Sequence, residues 1–256
     1  VGGDRCVFGF LKFGAEAMPP ISKMGELNAA GLVVQDETPP ELKTILALVE
    51  TKIVPITGEV GAKVEDSEDQ IVKFVMNECR AMNVPPENFF FDSGMRTGLV
   101  SAFGRLWSPN VNPIDCGGKP SERKVSGGID MPCCDYYSKR ITEFWYSVRL
   151  VIEAGQFRGM TTEVMEEGCL REFKSVMGNK IEVESKADMK EKTGRSPDLF
   201  DALAIGVEGA RQKGFLIDRV EAEPDETASR EQESWKRKLL ERSRKFWSSG
   251  ALQHAN

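Results

Sequence analysis

An α/β domain with a mixed sheet is the fold class this sequence predicts, on three observations. Apolar runs of strand length alternate with stretches of helical spacing through residue 213. Acids stand where such folds place ligands, at the end of one buried run and inside one apolar helix. The composition, 40% hydrophobic and 29% charged over 256 residues, is that of a globular chain able to bury a substantial core.

In order, residues 6–13 (CVFGFLKF) form a compact apolar run that reads as a strand ending at Gly14. Residues 41–49 (ELKTILALV) have helical spacing, and 52–57 (KIVPIT) read as a short strand whose Pro55 suggests an edge. From Ser67 to Ala81 a helix is expected, with Ile71, Phe74, Val75, Met76 and Cys79 supplying its apolar face. Pro85 and Pro86 stop it. Asn88 to Phe91 then reads as a buried strand ending in Asp92-Ser93-Gly94. A helix over 96–106, a strand over 111–116 and a long Gly-, Pro- and Ser-rich loop over 117–135 follow. Helical spacing returns over 136–154, where Ile141, Phe144, Trp145, Val148 and Val151 share a face, and again over 161–176. Ile181 and Val183 alternate with Glu182 and Glu184 as a strand with one wet face. Helices over 187–193 and 197–213 close the compact part.

The domain is expected to run from 1 to 216. Residues 217–256 form a tail in which five acids within 218–226 precede seven Lys/Arg and three Glu within 229–247. That pattern suits a charged, partly helical segment outside the core. The chain opens on Val1 rather than methionine, which suggests a fragment or a processed product.

Composition excludes several kinds of chemistry. The only histidine is His254, and the six cysteines contain no C-x-x-C pair, so zinc sites and serine–histidine catalysis are poorly supported. Free thiols in a reducing cytoplasm are the better reading. No apolar stretch is long enough to span a membrane, and no signal segment opens the chain. Gly117-Gly118-Lys119-Pro120 lacks the spacing and the Ser/Thr of a phosphate-binding loop, so no ATP chemistry is expected. A net charge of −6 argues against indiscriminate coating of nucleic acid but allows a local basic groove.

Three acids carry candidate chemistry. Asp92 ends a buried strand, although Asp before Ser-Gly is also a common turn. Asp198 sits in the first turn of the last helix, behind Ser196 as N-cap and Pro197 at the first helical position. Asp201 lies among Leu199, Phe200, Ala202, Leu203, Ala204, Ile205 and Val207, a helix apolar almost all round, and is therefore expected to be buried. A buried carboxylate requires a cation. Either a metal ion or an ion pair with Arg195 or Lys186 would supply it. Among basic residues, Lys119, Arg123 and Lys124 are the better candidates for DNA contact, in a flexible loop after a strand end. Solvated surface charges are the plainer reading of Arg96, Arg105, Lys139 and Arg140.

The block Lys180 to Lys190 (KIEVESKADMK), followed by Gly194 to Leu203 (GRSPDLFDAL), closely resembles the end of bacteriophage large terminase nuclease domains. Phe89-Phe90-Phe91-Asp92-Ser93-Gly94 resembles their second acidic strand, and Gly2-Gly3-Asp4-Arg5-Cys6-Val7 the turn after their first. The resemblance spans nearly all of residues 1–215, and its C-terminal block is the specific part. It implies a ribonuclease H-like mixed sheet flanked by helices, here without the first acidic strand, whose absence from the centre of the sheet leaves a gap. It implies Asp92, Asp198 and Asp201 as metal and catalytic residues, with two Mg²⁺ or Mn²⁺ ions in the complete domain. Asp4 matches the turn aspartate and not the missing acid.

The implied function is an endonuclease that cuts concatemeric double-stranded DNA during packaging, in the cytoplasm of an infected bacterial host or from a prophage. A portal and a small terminase subunit are the implied partners, and no membrane is involved. Short of its first acid, the chain is expected to cut poorly or not at all. The alternatives are a Holliday-junction resolvase-like nuclease and a catalytically inert DNA-binding or motor-docking module.

Overall fold

The computed structural model describes residues 5–18, 42–56, 66–94, 97–126 and 129–218. The Gly2-Gly3-Asp4 turn, Arg96 and nearly all of the charged tail lie outside the described residues. The architecture is α/β, with a mixed sheet flanked by helices.

Strand β1 (Val7–Ala17) pairs antiparallel along its whole length with β2 (Leu42–Ile53), with a register irregularity between Phe10 and Leu11. β2 pairs parallel with the short β5 (Phe157–Arg158) on its other side. The helix expected over 41–49 is therefore a strand. Thr44, Ile45, Val49, Thr51 and Ile53 are β-branched, and such residues lose little in a pleated strand that has an eleven-residue partner. The short strand expected at 52–57 is only the end of β2, and Pro55 lies beyond it.

Helix α1 (Ser67–Ala81) leads through a turn to β3 (Phe90–Asp92), α2 (Thr97–Leu106) and β4 (Asn112–Ile114), which pairs parallel with β3. The 117–135 loop contains one helical turn, α3 (Cys133–Tyr136). α4 (Arg140–Glu153) starts later than its spacing suggests, because Tyr137 bridges Ile181 and Ser138 N–H donates to the Ile181 carbonyl. α5 (Thr162–Leu170) stops short of the expected 176. Arg171 is extended, and β6 (Phe173–Val176) forms an antiparallel hairpin with β7 (Lys180–Val183). α6 (Lys186–Thr193) ends at Gly194, whose φ of 71° suits glycine. α7 (Asp198–Gln212) follows.

Two apolar clusters occupy opposite faces of the sheet pieces. Phe8, Phe10, Phe89 and Phe91 pack with α1 and α2, while Leu46, Leu48 and Phe90 pack with α4 and α7. Phe89, Phe90 and Phe91 thus alternate between the two faces, as a strand requires. β1 and β3 do not pair with each other. β1 pairs with β2 and β3 with β4, and between the two half-sheets lies a cavity of about 1070 Å³.

Candidate active site

Asp92, Asp198 and Asp201 all line this cavity, although the first is more than a hundred residues from the other two. Asp92 is exposed at the end of β3, where its Oδ1 accepts the Gly94 amide at 3.0 Å; the left-handed φ of 44° at Gly94 closes that turn. Asp198 and Asp201 are 8% and 6% exposed in the first turn of α7. Cys116 lies within reach of both groups of acids. Burial, then the charges of Asp92 and Asp201, push its thiol pKa up.

Each buried acid has its hydrogen-bonding capacity taken up by protein groups. Asp201 Oδ1 accepts from Trp145 Nε1 at 2.6 Å and from Arg171 at 3.2 Å, and its Oδ2 meets Lys186 Nζ at 2.7 Å. Arg171 is itself buried, stacks over the Trp145 ring at 4.5 Å and donates to the Glu184 carbonyl. Asp198 Oδ1 accepts the Ser196 hydroxyl at 2.7 Å and faces Lys186 at 3.6 Å, and its Oδ2 accepts the Arg5 amide at 2.9 Å. Of the two ion-pair partners the sequence suggests, Lys186 is the one used. Arg195 reaches Glu166 instead.

Ser196 is spent on Asp198, so it does not cap the helix. Pro197 holds the cap position and provides no side-chain hydrogen bond. The cap comes from α5: Glu167 Oε2 accepts the Leu199 and Phe200 amides at 2.7 and 3.0 Å, and its Oε1 pairs with Arg5. A buried carboxylate on the first amides of a helix is stabilised both by those bonds and by the helix dipole.

Carboxylates suit Mg²⁺ or Mn²⁺ as donors. Among the described residues, however, no three carboxylate, imidazole or thiol groups are gathered closely enough to hold a metal ion. Asp198 and Asp201 face a lysine and an arginine, and Asp92 does not join them in one ligand set. In this arrangement the described acids do not by themselves form an ion site; the two ions are expected of the complete domain. The positive charges beside the acids are the Lys186 ammonium and the guanidinium groups of Arg171 and Arg5.

No protein-family model and no curated protein sequence matches the chain. Solved structures similar to it include the nuclease domain of the large terminase subunit gp2 of bacterial virus Sf6. That likeness is at 15% identity and a TM-score of 0.44, over 68% of this chain and 84% of that one. A point mutant of that domain with manganese is similar at 15% identity and 0.44, over 65% and 82% of the two chains. The mutant with calcium gives 15% and 0.44, over 64% and 81%. Likeness of this degree does not transfer a function; the side chains have to carry it.

The three basic loop residues do not line the cavity. Arg123 pairs with Glu208 of α7 at 2.6 Å and with Glu143 of α4 at 3.6 Å. Glu143 also accepts the Ser121 amide and hydroxyl, and Arg211, its side chain 8% exposed, completes the cluster at 3.5 Å from Glu208 and 3.7 Å from Glu143. These bonds anchor a loop whose composition suggests flexibility, and they occupy Arg123. Lys124 pairs with Asp130 at the surface, and Lys119 is exposed. The cations that do line the cavity are Arg5, Lys12, Arg171, Lys186 and Lys213. Of these, sequence reasoning names only Lys186, as an ion-pair partner.

Proposed function

We propose that this chain is the nuclease domain of a phage large terminase subunit, a ribonuclease H-like endonuclease acting on concatemeric double-stranded DNA during packaging. One observation carries the reading: Asp92, Asp198 and Asp201, drawn from a strand end and a distant helix, line a single cavity. The resemblance of residues 180–203 to the end of that family's nuclease domains gives the acids their assignment. Lys12 and Lys213 are exposed on the same cavity and are placed to meet phosphates that would not approach a chain of net charge −6 without local cations. On this reading Lys119, Arg123 and Lys124 are at most peripheral to the DNA. The portal and small terminase subunit would be partners in the host cytoplasm; among the described residues no helix is long and apolar enough to cross a membrane.

The acids are proposed to act on the scissile phosphodiester, with Mg²⁺ or Mn²⁺ as the dependence to be tested, since the arrangement described does not itself form the ion site. The expected result is slow nicking of supercoiled plasmid by the full chain with millimolar Mn²⁺, abolished by chelator and by Asp92→Ala or Asp198→Ala. Cutting that survives chelator or either substitution would overturn it. Retained DNA binding without cutting would favour the inert-module reading, which the neutralising Lys186 supports. Preference for four-way junctions over plasmid would favour the resolvase-like one.

A further inference from the structure

Arg140 opens α4 and is held by backbone bonds to the turn after β4. Its amide donates to the Gly118 carbonyl at 3.0 Å, and the Ile141 amide donates to the Cys116 carbonyl at 3.1 Å. Cys116, Gly117 and Ile141 line the same cavity as the acids, and the Cys116 thiol hydrogen-bonds Asp92. Arg140 therefore stands at the rim of the candidate site, on the Asp92 side.

The guanidinium of Arg140 lies over the Phe144 ring, 5.6 Å from its centroid. Its Nε is buried and, among the described residues, is the one such side-chain nitrogen or oxygen without a hydrogen-bond partner. An unsatisfied buried donor is costly, and no ion pair offsets it here. Arg5, Arg123, Arg171 and Arg211 each meet a carboxylate; among the described residues Arg140 meets none. The acids within reach are engaged elsewhere. Glu143, one turn along α4, faces Arg123, Arg211 and Ser121, and Asp115, beside Gly118, accepts the Gly117 amide. The ring and the buried Nε fix the plane of the guanidinium, while its terminal nitrogens reach solvent.

We propose that Arg140 is a phosphate-binding residue of this site, whose two terminal N–H groups grip one backbone phosphate of the DNA as a planar fork. Arginine suits that task because it stays charged and its donors match two phosphate oxygens at once. A guanidinium already fixed on its inner side loses little freedom on binding. The inference rests on the reading of the chain as one that acts on DNA, and it gives a role to a residue whose sequence position suggests only a solvated charge.

Fluorescence anisotropy of a short labelled DNA duplex with the full chain tests it, with chelator present so that binding is read without cutting. Arg140→Gln is expected to weaken binding about five- to tenfold and to make the dependence of log affinity on log salt shallower by about one, between about 50 and 200 mM salt. Arg140→Lys keeps the charge and loses the fork; it should keep the salt slope and weaken binding about threefold, and it decides the matter should the Gln variant not fold. Arg105→Gln, which removes a cation paired with Asp69 on α2, makes the same change in net charge and should alter neither affinity nor slope. Equal effects of Arg140→Gln and Arg105→Gln, an Arg140→Lys variant that binds as tightly as the unmodified chain, or no binding of the duplex by the unmodified chain would overturn the proposal. Binding that responds to Arg140 in a chain that never cuts plasmid would uphold it and remove the nuclease reading. Cutting with the same KM for DNA in the unmodified and Arg140→Gln chains would do the reverse.

Discussion

Lys186 Nζ serves two carboxylates that the helix places one turn apart. Burial works to lower its pKa, but the charge and hydrogen bond of Asp201 and the charge of Asp198 outweigh burial and raise it above 10.5. A raised lysine value means stabilisation that is complete below the unfolded pKa and disappears as pH climbs through the folded one. Lys186→Gln is expected to lower stability by about 1–2 kcal/mol, since a half-exposed ammonium is partly screened by water. The gap to the unmodified chain should hold from neutral pH to about pH 10 and close only above it. Mn²⁺ should raise the Tm of the variant, by mass action on acids left short of a cation. Thermal unfolding across pH, with Mn²⁺ and with chelator, checks both statements. A variant that loses nothing, or gains nothing from Mn²⁺, would make the lysine incidental.

Helix α7 shows which structural facts a sequence displays. Burial of Asp201 is legible because its neighbours are apolar on every side, and Lys186 is legible as a partner because it opens the helix just before. Trp145 and Arg171 are not: they lie 56 and 30 residues away, and only tertiary packing brings them in. Glu167 reads as one more acid on a charged helix face, yet it sits three residues from the fully buried Val164 and faces inward. β2 reads as helix because a short apolar run fits either period, and β6 because FKSV carries no period of its own; in both the partner strand decides. The helix end gives a second prediction. Glu167→Ala leaves the Leu199 and Phe200 amides without an acceptor and frees Arg5, and should cost about 2–3 kcal/mol. Glu167→Gln keeps an acceptor and loses the ion pair, and should cost about half as much. Denaturant unfolding separates the two; equal losses would mean that the cap contributes nothing.

At the scale of the whole chain, contacts divide it after Arg219, and the described part closes on a buried glutamine. Gln156 Nε2 donates to the Thr44 and Leu216 carbonyls, and its Oε1 accepts the Asp218 amide at 2.8 Å. The domain boundary that composition suggests near 216–217 falls inside this clasp. Truncation after Arg219 is expected to leave Tm unchanged. Truncation after Phe215 removes two of the three partners of a fully buried side chain and should destabilise by about 1–3 kcal/mol. Equal stability of the two truncated chains would show that the clasp is dispensable. How the half-sheets and their cavity arise is legible only in part, because the long β1–β2 pairing depends on a strand whose spacing imitates a helix.

The charge cluster beneath the 117–135 loop ties the history of its positions together. Glu208 is fully buried and the Arg211 side chain nearly so, in a group of four charges where Glu208 also meets Arg123 at 2.6 Å and Arg211 also meets Glu143 at 3.7 Å, and removing one charge leaves the other sign in excess at that depth. A lineage passing through Glu208→Leu or Arg211→Leu alone should lose about 2–3 kcal/mol, because Arg123 or Glu143 still faces the charge that remains, whereas the double change leaves Arg123 beside Glu143 and should return to within about 1 kcal/mol of the starting chain. A double-mutant cycle measures this directly. Its consequence is that drift crosses the interval most easily in balanced steps: related sequences that lack Glu208 should also lack one of its two arginine partners.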